Sequence, residues 1–425
     1  MYPRRSGPLR GEPALPVRDM TGREPGRYPA LVRGDRVTPG SQTSLREANR
    51  ARIVSAVQRR GSITQIELAG VTGLSPATVS NIVKELTAVG VLHTSPSTRS
   101  GRRALKVTLA RDLGLVAGIH FGTRSLRVAL ADASMQVLTE QRMPLAPDHR
   151  ADAGLRRAAM LVAEMIESLD ARREELLAVG VCLPAPVDRR TGRITTVGML
   201  RGWDGITVPE VLGEEFDVPI AVDNDANLGA LAETRYGAAA GHEDVAYLRV
   251  SHGVGGGLVL GGQLVHGRAG GAGEAGHVTI DENGPICRCG NRGCLETFVG
   301  APALLGMLAA SHGHLTLREV ITRAKDGDPG CRRVLSDSGQ HLGVAAANLC
   351  NLVDPSIVVV GGQLAEAGEI LLGPMRTVVE QRTMPTTAGP VAVVAGALGA
   401  AAEVRGALCV ALDAARVHGV LGVSV

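Results

Sequence analysis

Three of the chain's seven cysteines, Cys287, Cys289 and Cys294, fall within eight residues, and His277 stands ten positions before the first of them. One imidazole and three thiolates are the usual closed tetrahedral set for a structural zinc ion. Gly290 and Gly293 give the backbone the freedom to bring three sulfurs to one point. The 277–294 segment is therefore expected to fold around a single metal, with chance clustering of free thiols as the plain alternative. Four protein ligands leave no position for water, which makes a zinc hydrolase a poor reading. Cys182, Cys331, Cys350 and Cys409 are scattered among apolar residues and read as core fillers. The odd count argues against a secreted disulfide framework and for a reducing, cytoplasmic setting.

The 425 residues suffice for two or three domains. Hydrophobic residues make up 44% and aromatics only 2%, so the core must be built from Ala, Val and Leu. The first residues hold no apolar segment of the kind that directs secretion. The charge-free stretch 383–402 is broken by Pro385, Gly389, Pro390, Gly396 and Gly399. It reads as a buried strand followed by a small-residue helix, and no membrane partner is expected.

The formal charge of +3 hides an asymmetry. Residues 1–43 carry eight Arg against four acids, with seven Pro and six Gly, and read as a disordered basic tail in which Met20 is an alternative start. Residues 44–110 carry ten basic residues against three acids, so residues 111–425 are left with −8. A basic head on an acidic body points to a nucleic-acid module joined to a part that need not touch nucleic acid.

In residues 44–110, Leu45, Ile53, Val54 and Val57 share one helical face, and residues 64–70 predict a short helix with Ile66, Leu68 and Ala69 inward. Ser75-Pro76 then forms an N-cap and first-turn proline for a helix burying Val79, Ile82, Val83 and Leu86. This is helix–turn–helix spacing. Ser75, Pro76, Ala77, Thr78, Ser80, Asn81 and Lys84 face outward, where short polar side chains approach base edges and Lys84 reaches a phosphate. Arg99, Arg102 and Arg103 in the turn of a following hairpin form a wing for the DNA backbone or minor groove. A small protein-interaction domain is the alternative, and the charge favours double-stranded DNA.

From Leu113 the pattern is α/β. Strands GLVAGIHFG, LRVALAD and QVLTEQRMPL precede a helix over 151–170 and the buried strands LLAVGVCLP and PIAVDNDA. After Arg235 the scheme restarts with DVAYLRVSHGVGGGLVLGG, and SIVVVGG and PVAVVAGALGA are later buried strands. A duplicated α/β fold with a cleft between lobes 111–235 and 236–425 is expected, with the C-terminal helix available to return to the first lobe.

Within GEAGH (273–277), Glu274 lies three residues before the proposed ligand His277, so the metal loop would aim it, and Glu296 follows the last cysteine. Carboxylates held this way suit the vicinal hydroxyls of a sugar. Asn224 and Asp225 in VDNDAN follow a buried strand, at the end of the sheet where open α/β folds bind ligands. Asp225 there is a candidate general base, or the string is an ordinary Asx-rich turn. Gly253, Gly255, Gly256 and Gly257, and Gly361-Gly362 after SIVVV, are turns that can approach a phosphate.

Together these residues resemble the ROK family of repressors and sugar kinases, over about residues 44–400. Glu274 to His277 and Cys287 to Glu296 carry its ExGH and CxCGxxGCxE strings unbroken, and DNDAN and the glycine loops follow in order. The resemblance implies two ribonuclease-H-type lobes, as in actin and hexokinase. It also implies a sugar contacted by Asn224, Asp225, Glu274, His277 and Glu296. The family's kinases carry D-x-G-x-T in the first turn; here IHFGT places His120 at the aspartate position and keeps Gly122 and Thr123. His252 replaces the Thr or Ser of the second phosphate loop. An imidazole cannot supply the hard oxygen ligand that magnesium favours, so phosphoryl transfer is expected to be disabled. The sequence thus predicts a homodimeric or homotetrameric winged-helix regulator, a repressor sensing a sugar. The alternative is an ATP-dependent sugar kinase that carries a DNA-binding domain, with Asp225 catalytic.

Overall fold

The computed structural model describes residues 42–417 apart from 100–101, 147–148, 197–199, 201 and 386–388; side chains are further left undescribed over 97–103 and outside 45–415. The tail over 1–41 lies outside these residues. From Arg46 onward the chain forms one compact unit.

The N-terminal module comprises α1 (Gln42–Arg60), β1 (Ile63–Thr64), α2 (Gln65–Thr72), α3 (Pro76–Ala88), β2 (Leu92–Arg99) and β3 (Arg102–Leu109). Thr64 and Glu67 close a capping box at the start of α2, and Gly73 ends it with φ 66°. The Ser75 hydroxyl accepts from the Thr78 N–H at 3.1 Å, and Pro76 opens α3. Val79, Ile82, Val83 and Leu86 are buried, while Pro76, Ala77, Asn81 and Lys84 are exposed and Thr78 and Ser80 half-buried.

Two apolar expectations fail here. Ile66 is 79% exposed, because the inward stripe of α2 is Leu68 and Thr72, four apart, and Ile66 lies about 200° round from Leu68. Leu45 is 66% exposed, since burial along α1 begins only at Ile53. Arg99, Arg102 and Arg103, expected in the turn of the hairpin, belong to its strands. β2 and β3 pair as far as Arg99 opposite Arg102.

The body holds two five-stranded sheets of like topology. The first comprises β4 (Leu115–Phe121), β5 (Ser125–Asp132), β6 (Val137–Pro144), β7 (Leu176–Leu183) and, past the β8 (Val187–Asp188)/β9 (Arg193–Ile194) hairpin, β10 (Ile220–Asn224), in the order β10-β7-β4-β5-β6. β4, β5 and β6 form an antiparallel meander, and β7 and β10 run parallel to β4. The second comprises β11 (Val245–Val250), β12 (Val254–Leu260), β13 (Gln263–Leu264), β14 (Ile357–Gly361) and β15 (Ala392–Ala395), in the order β13-β12-β11-β14-β15. Again three antiparallel strands come first and two parallel ones follow. β15, expected to be buried, is an edge strand in which only Val393 is buried.

α4 (Ala151–Ser168) and α5 (Val208–Gly213) cover one face of the first sheet. α7 (Glu296–Val299), α8 (Ala301–His312), α9 (Leu317–Lys325), α10 (Pro329–Val353) and α11 (Glu369–Arg382) cover the outer face of the second. α6 (Asp225–Tyr236) and α12 (Ala402–Val417) fill the space between the sheets. α12 lies so close to the first sheet that a Cβ at Gly180 would stand 1.9 Å from the Ala407 carbonyl oxygen. Among the described residues no helix is long and apolar enough to cross a membrane.

Candidate functional site

The two-residue side-chain period of a sheet decides what reaches the space between the lobes. Ala246, Leu248 and Val250 of β11 pack toward α10, while Val245, Tyr247 and therefore Arg249 face α6. Val116 of β4 packs toward α12, and His120 shares its side of the strand. β10 ends at Asn224, whose side-chain oxygen caps α6 by accepting from the N–H groups of Ala226 at 2.8 Å and Asn227 at 3.4 Å. Asp225, the first residue of α6, is 6% exposed.

Arg249 Nη1 lies 3.2 Å from Asp225 Oδ2, and its Nε donates to Glu403 Oε1 at 2.5 Å. A half-buried guanidinium thus stands between two buried carboxylates. Burial opposes its charge, yet Asp225 and Glu403 hold its pKa above the ordinary value. Burial alone would raise Glu403, but Arg249 and His120 keep it below its usual range. For Asp225 burial prevails and its pKa rises, with Arg249 opposing. His120 is driven down to about 4 by burial against the pull of Glu403, so it is neutral at pH 7, and its Nε2 is buried without a hydrogen-bond partner.

Behind Asn224, Asp223 accepts from the Asn224 N–H at 2.7 Å and from Asn227 Nδ2 at 2.9 Å. Its other oxygen lies 2.7 Å from His266 Nε2, a bond from the first lobe to the second.

His277, Cys287, Cys289 and Cys294 offer one ligand atom each within 4.8 Å of one another, a cluster able to hold a metal ion. Cys287 Sγ lies 3.6 Å from His277 Nδ1, and Cys289 Sγ lies 3.7 Å from Cys294 Sγ. The second distance is far too long for a disulfide. It matches the roughly 3.8 Å between sulfurs bound tetrahedrally at about 2.3 Å to one zinc ion. The loop is pinned by short bridges, Ile286 to Arg292 and Thr279 to Cys294, and Gly293 turns with φ 68° where a Cβ would strike the Asp281 carbonyl at 1.6 Å. His277 turns its other nitrogen, Nε2, toward Glu274, 4.0 Å from Oε2. Burial, with the charges of Asp225 and Glu296, pushes Glu274 up to about 7.

Glu296 is not free. Arg288, between two of the cysteines, grips it with Nε at 2.8 Å and Nη2 at 3.1 Å, and the Val254 N–H adds a bond at 3.1 Å. A Cβ at Gly253 would meet Glu296 Oε2 at 2.6 Å, so a side chain there would push the carboxylate aside. Gly255 sits over Asp225 and Ala226. Gly361 also has a packing reason, because a side chain there would run into the Tyr247 hydroxyl at 2.0 Å, and Gly362 turns with φ 79° against the Val250 carbonyl. Gly122 closes the first turn by donating to the Ser125 carbonyl at 2.8 Å, and Thr123 and His252 are exposed. Burial and the charges of Arg288 and Arg124 lower the His252 pKa. The side chains of Arg99, Arg102 and Arg103 lie outside the described residues.

Residues 116–414 match the ROK family, and residues 46–92 match a winged helix-turn-helix DNA-binding family. The chain belongs to the ROK family. Among its ROK relatives, the xylose repressor of Bacillus subtilis is 28% identical over 377 residues, 88% of this chain and 97% of the repressor. The DNA-binding transcriptional dual regulator NagC of Escherichia coli is 31% identical over 79% of this chain and 87% of its own. The crystal structure of a ROK-family transcriptional regulator, a homologue of the E. coli MLC protein, superimposes with a TM-score of 0.72 over 89% of this chain and 98% of that one, at 24% identity. A ROK glucokinase from Streptomyces griseus, solved with glucose and AMPPNP, superimposes on 71% of this chain with its whole length covered, at a TM-score of 0.62 and 26% identity. With its winged helix, the chain is a ROK-family transcriptional regulator with a two-lobed hexokinase-like body.

Sequence reasoning missed Arg249, Glu403, Asp223, His266 and Arg288. The available signal was a charged residue inside an otherwise apolar strand, VAYLRV for Arg249 and IAVDN for Asp223, since buried charges are nearly always paired.

Proposed function

We propose that this ROK chain is a sugar-responsive repressor whose body has kept a carbohydrate site and lost phosphoryl transfer. In this reading Asn224, Asp225, Glu274, His277 and Glu296 bind the hydroxyls, and residues 44–110 bind operator DNA through α3 and the β2–β3 wing. Zinc is the ion the donor set suits, held by His277, Cys287, Cys289 and Cys294. A closed thiolate-imidazole site supplies structural cross-linking rather than a water nucleophile. His277 Nδ1 faces the sulfurs, which leaves Nε2 for the ligand beside Glu274. A homodimer or homotetramer in the cytoplasm fits a palindromic operator.

The observation that carries the reading is the guanidinium of Arg249 on Asp225, 3.2 Å away, with a neutral, half-buried His120 near the end of β4. In this reading a guanidinium and an imidazole occupy positions for which transfer from a nucleotide would need oxygen ligands to magnesium. Ligand between the lobes changes their relative position, and DNA affinity changes by the ligand's differential affinity for the two states. The names of the relatives, xylose repressor and N-acetylglucosamine repressor, direct attention to pentoses and amino sugars.

A thermal-shift screen with sugars, sugar phosphates and nucleotides tests the reading. A sugar is expected to raise the midpoint, and Glu274→Gln to abolish that shift while DNA binding persists. The glucokinase likeness supports the rival kinase reading. Sustained ADP production from Mg-ATP with any hexose, pentose or N-acetyl sugar would establish it and end ours.

A further inference from the structure

α6 and α12 pack along one another, and each runs from the Arg249 cluster to the winged-helix module. α6 runs for twelve residues from Asp225 to Tyr236, a length of roughly 18 Å. Tyr236 packs against Gly61, just past the end of α1, so closely that a Cβ at Gly61 would stand 2.2 Å from its ring. α12 carries Glu403 at its start. Farther along, Leu408, Leu412 and Ala415 belong to the same apolar core as Ile53 and Val57 of α1, Val83 and Leu86 of α3, and Val107 of β3. The DNA-binding module is thus seated on these two helices by a shared core rather than hung from a linker.

Both ends of the helix pair are clamped by an arginine. At the far end, Arg235 of α6 grips Asp413 of α12 through two bonds, 3.2 and 2.6 Å. At the ligand end, Arg249 joins Asp225 of α6 to Glu403 of α12. Arg249 comes from β11 of the second lobe, so it also ties that lobe to both helices.

We propose that Arg249 is the coupling residue of this regulator: a sugar hydroxyl bound at Asp225 competes with its guanidinium, alters its hold on Glu403, and shifts the α6–α12 pair and the winged helix seated on it. This rests on the functional reading above, because it needs a ligand at Asp225. The proposal requires the α6–α12 pair to have two arrangements that both sites bias, since intermediacy in space alone carries no coupling. Exchanging one buried partner of a charged cluster forces the others to rearrange, since an unpaired buried charge is costly. By linkage, DNA must weaken the sugar by the same factor by which sugar weakens DNA.

The test uses the full chain, a duplex selected from a random pool, and D-xylose, D-glucose and N-acetyl-D-glucosamine as probes. DNA affinity is measured with and without each sugar for wild type, Asp413→Asn, Tyr236→Ala and the double variant Arg249→Met/Glu403→Gln. Wild type is expected to change at least fivefold with one sugar. The two far-end variants should bind that sugar as wild type does, by calorimetry, yet show a ratio near one. The double variant should also show a ratio near one; should it fail to fold, the far-end variants decide. Variants that keep the wild-type ratio overturn the inference while leaving the functional reading intact. A wild type that binds DNA but responds to none of the sugars defeats the functional reading, and this inference with it.

Discussion

Arg288, on the loop between two of the metal-cluster cysteines, holds Glu296 through both of its oxygens, at 2.8 and 3.1 Å. With the Val254 N–H also bound, three of the carboxylate's roughly four acceptor positions are filled, leaving one for a sugar hydroxyl. Glu296→Gln is expected to weaken sugar binding about tenfold, equivalent to about 1.4 kcal/mol. Arg288→Ala should cost only two- to fivefold, roughly, because Val254 still orients one oxygen and the arginine is largely exposed. Calorimetric titration of both variants checks the order, and a larger loss for Arg288→Ala would refute it.

Removing one metal ligand tests the loop. Cys289→Ser is expected to lose the bound metal, measured by elemental analysis, and with it the sugar response, because Glu274 and Arg288 are aimed by the loop those ligands close. Stoichiometric metal in the variant would refute the four-ligand set.

The wing is tested by salt. Each phosphate contact contributes about 0.9 to the slope of log affinity against log salt. Arg102→Ala with Arg103→Ala is expected to flatten the slope by about 1 to 2 and to weaken all sequences alike. Lys84→Ala should flatten it by about 1. An unchanged slope would remove the hairpin from the DNA interface.

His120 makes stability depend on pH. Its folded pKa, about 4, lies below the ordinary 6.5, because burial, with Arg249, Arg127 and Arg142, outweighs Glu403. The unfolded chain therefore takes up the proton first. The stabilisation is complete above pH 6.5 and is lost as pH falls toward 4, amounting to about 2 kcal/mol at pH 5. Urea unfolding of wild type and His120→Gln at pH 7.5 and 5 should show a smaller fall for the variant. Equal falls would place the proton elsewhere.

The sequence told more about what is local than about what is assembled. The His277–Cys294 cluster, the Ser75 cap and the strand periods were legible because spacing within one segment determines them. Arg249, Glu403 and Arg235 were not, because their partners lie 24, 154 and 178 residues away along the chain, and no local pattern pairs β11 with α6 and α12. Ile66 misled for the opposite reason. In an eight-residue helix two buried positions set the inward face, and an apolar residue off that stripe stays in water. Gly361, read as a phosphate turn, also makes room for the Tyr247 ring.

The most direct measurement of the central claim is DNA affinity by fluorescence anisotropy, in nucleotide-free buffer, with increasing concentrations of a sugar shown by calorimetry to bind. The account predicts that DNA affinity falls at least fivefold as the sugar saturates, with no ADP formed when Mg-ATP is then added. A bound sugar that leaves DNA affinity unchanged, or is steadily phosphorylated, would contradict it.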